Sequence, residues 1–153
     1  MSDSRRKLES WLKTIDVGDK SVIDFGGVSL PVKSRTKNPI QNYHILDLKQ
    51  SRKGAVADYV FDLNKPISGV PRHDVGFCLE VMQFLYNPLQ ALLNMRNICG
   101  ELYINFHLFH IPCKGTDYLR YTEGGWRRLM QESGWNVVEM SKRGEDGWFV
   151  HAT

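Results

Sequence analysis

The first half of the chain carries four short apolar runs, and an acidic residue stands inside or just after each one. Short runs rich in Val, Ile, Phe and Tyr are typical of strands buried in the centre of a sheet. Acids at consecutive strand ends indicate a shared polar edge of that sheet. The runs cover residues 21–25, 43–46, 58–61 and 74–79, and the acids are Asp24, Asp47, Asp62 and Glu80.

Three further segments have the apolar spacing of amphipathic helices. The alternation of strands and helices predicts a doubly wound, mostly parallel α/β sheet with helices on both faces, and an Asp-Gly pair predicts a closing antiparallel hairpin. We predict one domain over residues 1–153, with an N-terminal helix in 1–19 and the core in 20–153. The expected elements are a helix around 8–15 capped by Ser4 or Asp3, a helix from Asn87-Pro88 ended by Gly100, a strand over 101–106, a helix from Thr122 to Ser133, and strands over 136–140 and 148–152.

Composition excludes several other classes of protein. Of the 153 residues, 42% are hydrophobic and 24% are charged, which argues against a disordered chain or a coiled coil. No apolar run approaches the roughly 20 residues of a membrane span, and no apolar stretch follows the basic N-terminal residues as in a secretory signal. Three cysteines do not make a disulfide framework, so we expect a reducing, cytoplasmic location.

The net charge of +3 is too small to indicate a nucleic-acid-binding protein. Two short basic runs, within residues 5–7 and 33–37, are the candidates for contact with an anionic partner. The sequence leaves the oligomeric state open.

The acidic strand ends have the spacing of a nucleotide-type site. Gly26 and Gly27 follow the first strand, where glycine lets a ligand approach the backbone. Asp47 comes about 20 residues later, as expected of a carboxylate that binds the two hydroxyls of a ribose. Asp62 stands where an adenine amino group is read. The pattern G-x-G-x-x-G is absent, which argues against a nicotinamide dehydrogenase.

These motifs, in this order, resemble the class I S-adenosylmethionine-dependent methyltransferases, in particular their type 11 branch. The similarity covers about residues 20–140. The stretches that carry it are Ser21-Val22-Ile23-Asp24-Phe25-Gly26-Gly27, residues 43–47, residues 57–63, residues 74–88, residues 100–104, and Asp117-Tyr118-Leu119-Arg120-Tyr121-Thr122 with residues 129–138.

The resemblance implies a three-layer, Rossmann-like sandwich with a seven-stranded sheet in the order 3-2-1-4-5-7-6. It implies S-adenosylmethionine as cofactor and S-adenosylhomocysteine as product, with methyl transfer to a small-molecule or macromolecular acceptor that the sequence does not identify. The implied cofactor contacts are Gly26 and Gly27 under the methionyl tail, Asp24 orienting that turn or binding the amino group, Asp47 on the ribose, Asp62 and Leu63 near the adenine, and Leu79 and Glu80 under the sulfonium.

Catalysis is less determined by the sequence. The candidate bases are His107, His110 and Asp117, in or near the loop after the fifth strand. His107, His110 and Cys113 also have a metal-like spacing, but no fourth ligand is evident, so we expect ordinary loop residues and no metal.

Three features depart from the family pattern. Val28 stands where a further glycine is usual, Pro31 is expected to shorten the first helix or move its start, and Gln83-Phe84 replaces an acid–histidine pair. We expect two adjacent glycines to suffice for the turn and the Val28 side chain to point into the core. The alternative interpretation is a methyltransferase-like domain that has lost catalysis and serves as a cofactor-binding or protein-interaction module.

Overall fold

The computed structural model describes residues 2–52, 55–109 and 115–153. A seven-stranded sheet is flanked by three α-helices. The strands are β1 (Val22–Phe25), β2 (Tyr43–Asp47), β3 (Tyr59–Val60), β4 (His73–Cys78), β5 (Cys99–His107), β6 (Val137–Lys142) and β7 (Gly147–Ala152). The helices are α1 (Asp3–Leu12), α2 (Pro88–Ile98) and α3 (Glu123–Glu132). A small antiparallel ribbon pairs Ser51–Arg52 with Ala55–Val56.

The sheet has the strand order β3-β2-β1-β4-β5-β7-β6. This order confirms the one that the sequence predicts. The five strands from β3 to β5 are parallel, and β7 is antiparallel to both of its neighbours. The chain reverses direction of travel across the sheet between β1 and β4, which makes this the switch point of the fold.

The two faces of the sheet carry separate hydrophobic cores. Helix α1 covers one face, where Leu8 and Leu12 are fully buried against Val22 and Val75. The ring of Trp11 stacks on Phe149, with centroids 4.7 Å apart. Helices α2 and α3 cover the other face, which makes three layers; the largest buried side chains there include Phe25, Leu92, Met95, Phe106 and Trp126.

The helix starts follow the capping rules. Asn87 caps α2, with Pro88 in its first turn, and the Thr122 hydroxyl accepts from Gly125 N–H to cap α3, as predicted. The prediction for α1 is wrong, because Ser2 is its cap and accepts from Arg5 N–H. The prediction that Gly100 ends α2 is also wrong. That helix ends at Ile98, and Gly100 lies inside β5.

The connection from β1 to β2 is where the chain departs most from the expected helical pattern. Residues 26–42 contain a single 3₁₀ turn, Gly27–Ser29, and no α-helix. Pro31 and Pro39 both remove a backbone donor from this stretch, so an α-helix there would be broken twice. The first helix that Pro31 was expected to shorten is therefore replaced by an irregular segment packed on the face of α1.

The short basic runs are paired with acids of the same molecule. Arg5 lies 2.8 Å and Arg35 lies 2.9 Å from Glu9, and Lys7 lies 2.6 Å from Asp3. These ion pairs neutralise much of the positive charge of the two basic runs, which were the candidates for contact with an anionic partner. None of the described helices combines the length and the apolar character needed to cross a membrane.

Candidate functional site

The carboxyl ends of β1, β2 and β4 meet at one edge of the sheet. Phe25, at the end of β1, lies beside Leu46 on one side and Cys78 on the other. The residues that follow these three strands therefore leave the sheet next to one another. They include Gly26 and Gly27, and Leu79 with Glu80, and they lie beside Asp47, the last residue of β2.

The turn after β1 requires its glycines. Gly26 has φ of 81°, in the left-handed region, and a Cβ there would overlap Val81 Cγ2. A Cβ on Gly27 would lie 2.5 Å from Asp24 Oδ2. Gly26 N–H donates to Leu46 O at 2.8 Å, which ties the turn to β2. The turn is thus fixed by backbone conformation, by packing and by hydrogen bonding.

Asp24 lies beneath this turn and is only 3% exposed. Its Oδ2 accepts from Val32 N–H at 2.8 Å and from the Tyr43 hydroxyl at 2.5 Å. Burial raises the pKa of the Asp24 carboxyl to about 6, although both hydrogen bonds favour the ionised form. Both roles predicted for Asp24 stay predictions, since these hydrogen bonds go to Val32 and Tyr43.

Asp47 is the last residue of β2 and faces the same turn. Its Oδ2 accepts from Val28 N–H at 3.1 Å, and its Oδ1 accepts from Lys49 N–H at 3.2 Å. The Val28 side chain points away from the edge, is 1% exposed and packs on Ile45 and Ala57. Val28 is thus buried, as expected, but in a small cluster with Ile45 and Ala57 rather than between the sheet and a helix.

Asp62 and Leu63 follow β3. Asp62 Oδ1 accepts from the backbone and the side chain of Asn64, at 3.0 and 2.9 Å. Asn64 Oδ1 in turn accepts from Tyr86 N–H at 2.9 Å, which links this segment to the loop after β4. Leu63 is 6% exposed, and its carbonyl accepts from Asn94 Nδ2 of α2.

Glu80, two residues beyond β4, is the centre of a buried polar cluster. Its N–H donates to Asn105 Oδ1 at 2.7 Å, and Asn105 Nδ2 donates back to Glu80 Oε1 at 3.0 Å. Arg143 Nη1 also binds Oε1, while His107 Nε2 lies 3.1 Å from Oε2. We call these four residues the Glu80 cluster. Glu80 and His107, which the sequence predicted in separate roles, are thus direct partners.

The charge of this cluster is set by its contacts. Burial acts to raise the pKa of the Glu80 carboxyl, but the hydrogen bond and charge of His107 and the charge of Arg143 outweigh it and hold that pKa at about 2. Glu80 is also the one described non-glycine residue with a positive φ, of 62°. Glu80 therefore combines a strained backbone, next to Val81 and the glycine turn, with an ionised carboxylate that faces Asn105, His107 and Arg143.

The remaining predicted residues lie around this cluster or outside the described chain. Leu79 is half-buried and packs on the core under α1. The Asp117 carboxyl is 1% exposed and pairs with Arg120, 2.7 Å away at its second oxygen. His110 and Cys113 fall in 110–114, outside the described residues. Among the residues that the structure describes, no group of three or more side chains is arranged to hold a metal ion.

Sequence analysis missed two members of the Glu80 cluster. Asn105 is fully buried within β5, and a polar residue inside the apolar run 102–106 was a usable signal. Arg143 comes from the turn between β6 and β7 and is 3% exposed. No sequence pattern connects it with Glu80, which is 63 positions earlier.

Comparisons with known proteins bear on this geometry. No protein-family model matches the chain, and no curated protein is significantly similar to it in sequence. Solved structures are similar to it. The 1,6-didemethyltoxoflavin-N1-methyltransferase of Burkholderia thailandensis, solved with 1,6-didemethyltoxoflavin and S-adenosylhomocysteine, matches with a TM-score of 0.73 at 13% identity, over 99% of this chain and 77% of that one.

Two further solved structures agree with the first. An S-adenosylmethionine-dependent methyltransferase from Mesorhizobium loti matches with a TM-score of 0.73 at 12% identity, over 99% of this chain and 97% of that one. The magnesium protoporphyrin IX methyltransferase of Synechocystis, solved with S-adenosylhomocysteine, matches at 0.66 and 12% identity, over 98% and 84%. The fold is that of S-adenosylmethionine-dependent methyltransferases. Activity and acceptor do not follow from a likeness at this level of identity.

Proposed function

We propose that this protein is an S-adenosylmethionine-dependent methyltransferase acting on a small-molecule acceptor. The observation that carries the proposal is the meeting of the glycine turn, Asp47 and the Glu80 cluster at one edge, on this fold. In doubly wound sheets, ligands bind at the carboxyl edge, next to the switch point between strands. Here that point lies between β1 and β4.

Different residues are proposed to contact different parts of the cofactor. Gly26 and Gly27 form the turn on which the methionyl tail would lie, and the Asp24 side chain packs against Gly27. Asp47 is the acceptor for the ribose hydroxyls, for which each carboxylate oxygen has a second lone pair. Asp62 and Leu63 border the adenine. The cofactor, when bound, supplies a methyl group on a sulfonium.

The chain would promote transfer mainly by positioning the two reactants and excluding water. His107 is fully buried, and both His107 and Asp117 are engaged by neighbouring charges. We therefore assign His107 and Asp117 to the support of the loops after β4 and β5. His110 keeps the role of candidate base.

An exposed aromatic rim supports an apolar, ring-containing acceptor. Phe84, Tyr86 and Tyr118 are 36%, 58% and 58% exposed, and the rings of the two tyrosines are in edge contact, 6.1 Å apart. Tyr118 N–H donates to Gln83 O at 2.8 Å, so the rim joins the loops after β4 and β5. Flat rings pack well on such surfaces. Two of the similar structures are methyltransferases named for ring-containing small molecules, 1,6-didemethyltoxoflavin and magnesium protoporphyrin IX.

One observation favours the alternative, a module that no longer catalyses. Both carboxylate oxygens of Asp47 already accept backbone N–H groups, and Gln83-Phe84 offers no charged group at the edge. A site occupied by its own contacts binds cofactor weakly. Cofactor binding therefore separates the two interpretations.

Thermal unfolding with added nucleotides tests the proposal. S-adenosylhomocysteine at about 100 times its dissociation constant adds about 2.7 kcal/mol of stability, because it binds only the folded state. For a chain of this length we expect the midpoint to rise by about 5–10 °C. NAD, which shares the adenosine but not the methionyl tail, is the control and should shift it far less. An unchanged midpoint at millimolar S-adenosylhomocysteine would leave the interaction module as the better interpretation.

A further inference from the structure

Hydrogen bonds fix both the backbone and the side chain of Glu80, although this residue lies at the start of a loop. Its φ of 62° is unfavourable for a residue with a side chain. The paired hydrogen bonds with Asn105, which is fully buried, keep it there. The Glu80 side chain keeps 29% of its surface exposed, so the carboxylate borders solvent or a ligand on one side. The hydrogen bonds with Asn105 thus hold the negative charge of Glu80 in a fixed position.

Arg143 reaches that carboxylate from a different part of the chain. It follows β6, its N–H donates to Gly147 O at 2.9 Å, and its side chain is 3% exposed. Its Nη1 binds Glu80 Oε1, while its buried Nε has no hydrogen-bond partner. Burying an arginine with an unpaired donor costs stability, and such a pair adds less to the fold than apolar packing would. Stability alone therefore gives a poor account of this arrangement.

The backbone of Glu80 lies next to the turn on which the cofactor is proposed to sit. Val81, the residue after Glu80, fills the space that a Cβ on Gly26 would need. Glu80 lies between the glycine turn and the part of the edge formed by β5 and β6. Its backbone adjoins the glycine turn, while its carboxylate points toward β5 and β6, where Asn105 and Arg143 lie.

The charges at this point matter because methyl transfer changes the charge of the cofactor. The donor is a sulfonium cation, and the product is a neutral thioether. A bare carboxylate nearby attracts the donor more than the product, and in doing so stabilises the ground state that transfer must leave. An arginine bound to that carboxylate cancels most of the difference.

We propose that Arg143 is a positioning residue of the methyl-transfer site, which neutralises Glu80 so that cationic donor and neutral product bind with similar affinity. The proposal rests on the proposed function. It assigns a task to the turn between β6 and β7, which is otherwise remote from the cofactor. Arg143 acts through Glu80 and touches neither reactant.

The test is the ratio of the two dissociation constants, donor over product, measured by calorimetry without acceptor. Arg143→Met removes the arginine charge from Glu80, which keeps Asn105 and His107 as partners, and should lower the ratio about fivefold or more, since the donor gains an attraction that the product lacks. Glu80→Gln leaves Arg143 unpaired and should raise the ratio by a similar factor. The double variant should return to within about twofold of the wild-type ratio.

Several outcomes distinguish this role from a structural one. A residue that merely supports the fold weakens both ligands alike, so a constant ratio in both single variants overturns the proposal. Arg143→Lys keeps the charge and should keep the ratio. If Arg143→Met does not fold, adding it to Glu80→Gln must still bring the raised ratio back, and failure to do so has the same meaning. A wild-type protein that binds neither ligand contradicts the proposed function itself, and this inference with it.

Discussion

Asp24 is a buried carboxyl group that makes the stability of the folded protein depend on pH. Its folded pKa of about 6 lies above the ordinary value of 3.8, because burial penalises the charge more than Val32 N–H and the Tyr43 hydroxyl favour it. The folded state therefore holds a proton that the unfolded state has lost between these two values. Its contribution to stability is complete below pH 3.8 and is lost as the pH rises through 6.

We expect Asp24→Asn to remove this dependence. The asparagine oxygen can accept both hydrogen bonds that Asp24 Oδ2 accepts, without a buried charge. Relative to wild type, the variant should gain up to about 3 kcal/mol of unfolding free energy between pH 4 and pH 7. Urea unfolding of both proteins across that range measures the difference. A difference that does not vary with pH would show that Asp24 titrates normally.

Gly26 is the position where the site leaves least freedom. Gly26→Ala places a side chain at a left-handed φ, which costs about 1–2 kcal/mol, and forces Val81 to move, which costs about 1–3 kcal/mol. In a Val81→Ala background the second cost disappears, so the glycine substitution should be less harmful there. A double-mutant cycle by urea unfolding checks this. Equal costs in both backgrounds would mean that Val81 does not pack on the turn.

Among the elements, α1 contributes to the fold rather than to the site. Leu12 is fully buried in the core between α1 and the sheet. Leu12→Ala should cost about 2–5 kcal/mol of unfolding free energy and leave the cofactor affinity of the remaining folded protein unchanged. Arg6→Ala is the matched control, since the Arg6 side chain is 59% exposed on the same helix and should change stability little. A large loss of affinity in Leu12→Ala would place α1 in the site.

The strands and helices differ in how well the sequence predicts them. Strands β1, β2 and β4 were predictable because their apolar runs are short, buried and closed by polar residues. Helices α2 and α3 were predictable from Asn87-Pro88 and Thr122, whose side chains satisfy the free N–H groups of the first turn. The loss of a helix between β1 and β2 was only hinted at by Pro31, although Pro31 and Pro39 together remove two backbone donors from that segment.

At the scale of the whole molecule, the two halves of the site differ in how far sequence can predict them. The residues proposed to bind the cofactor lie at the ends of consecutive strands, so their order and spacing along the chain predict their position along one edge. The Glu80 cluster joins residues from β4, β5 and the turn after β6, whose partners are set only when the sheet forms. The prediction that residues 1–153 form one domain stays a prediction.

The proposed function requires that the cofactor binds at this edge, with its ribose on Asp47. Calorimetric titration of S-adenosylhomocysteine into wild type and Asp47→Asn tests it most directly. The asparagine keeps an oxygen for Val28 N–H but loses the charge, so we predict binding to wild type and a loss of about 1.5–3 kcal/mol in the variant. Asp74→Asn is the matched control: that aspartate also accepts local hydrogen bonds, from Ser21, but at the opposite edge of the sheet, and its loss should leave affinity unchanged. Equal affinity in wild type and Asp47→Asn, or no binding to wild type, would contradict the account.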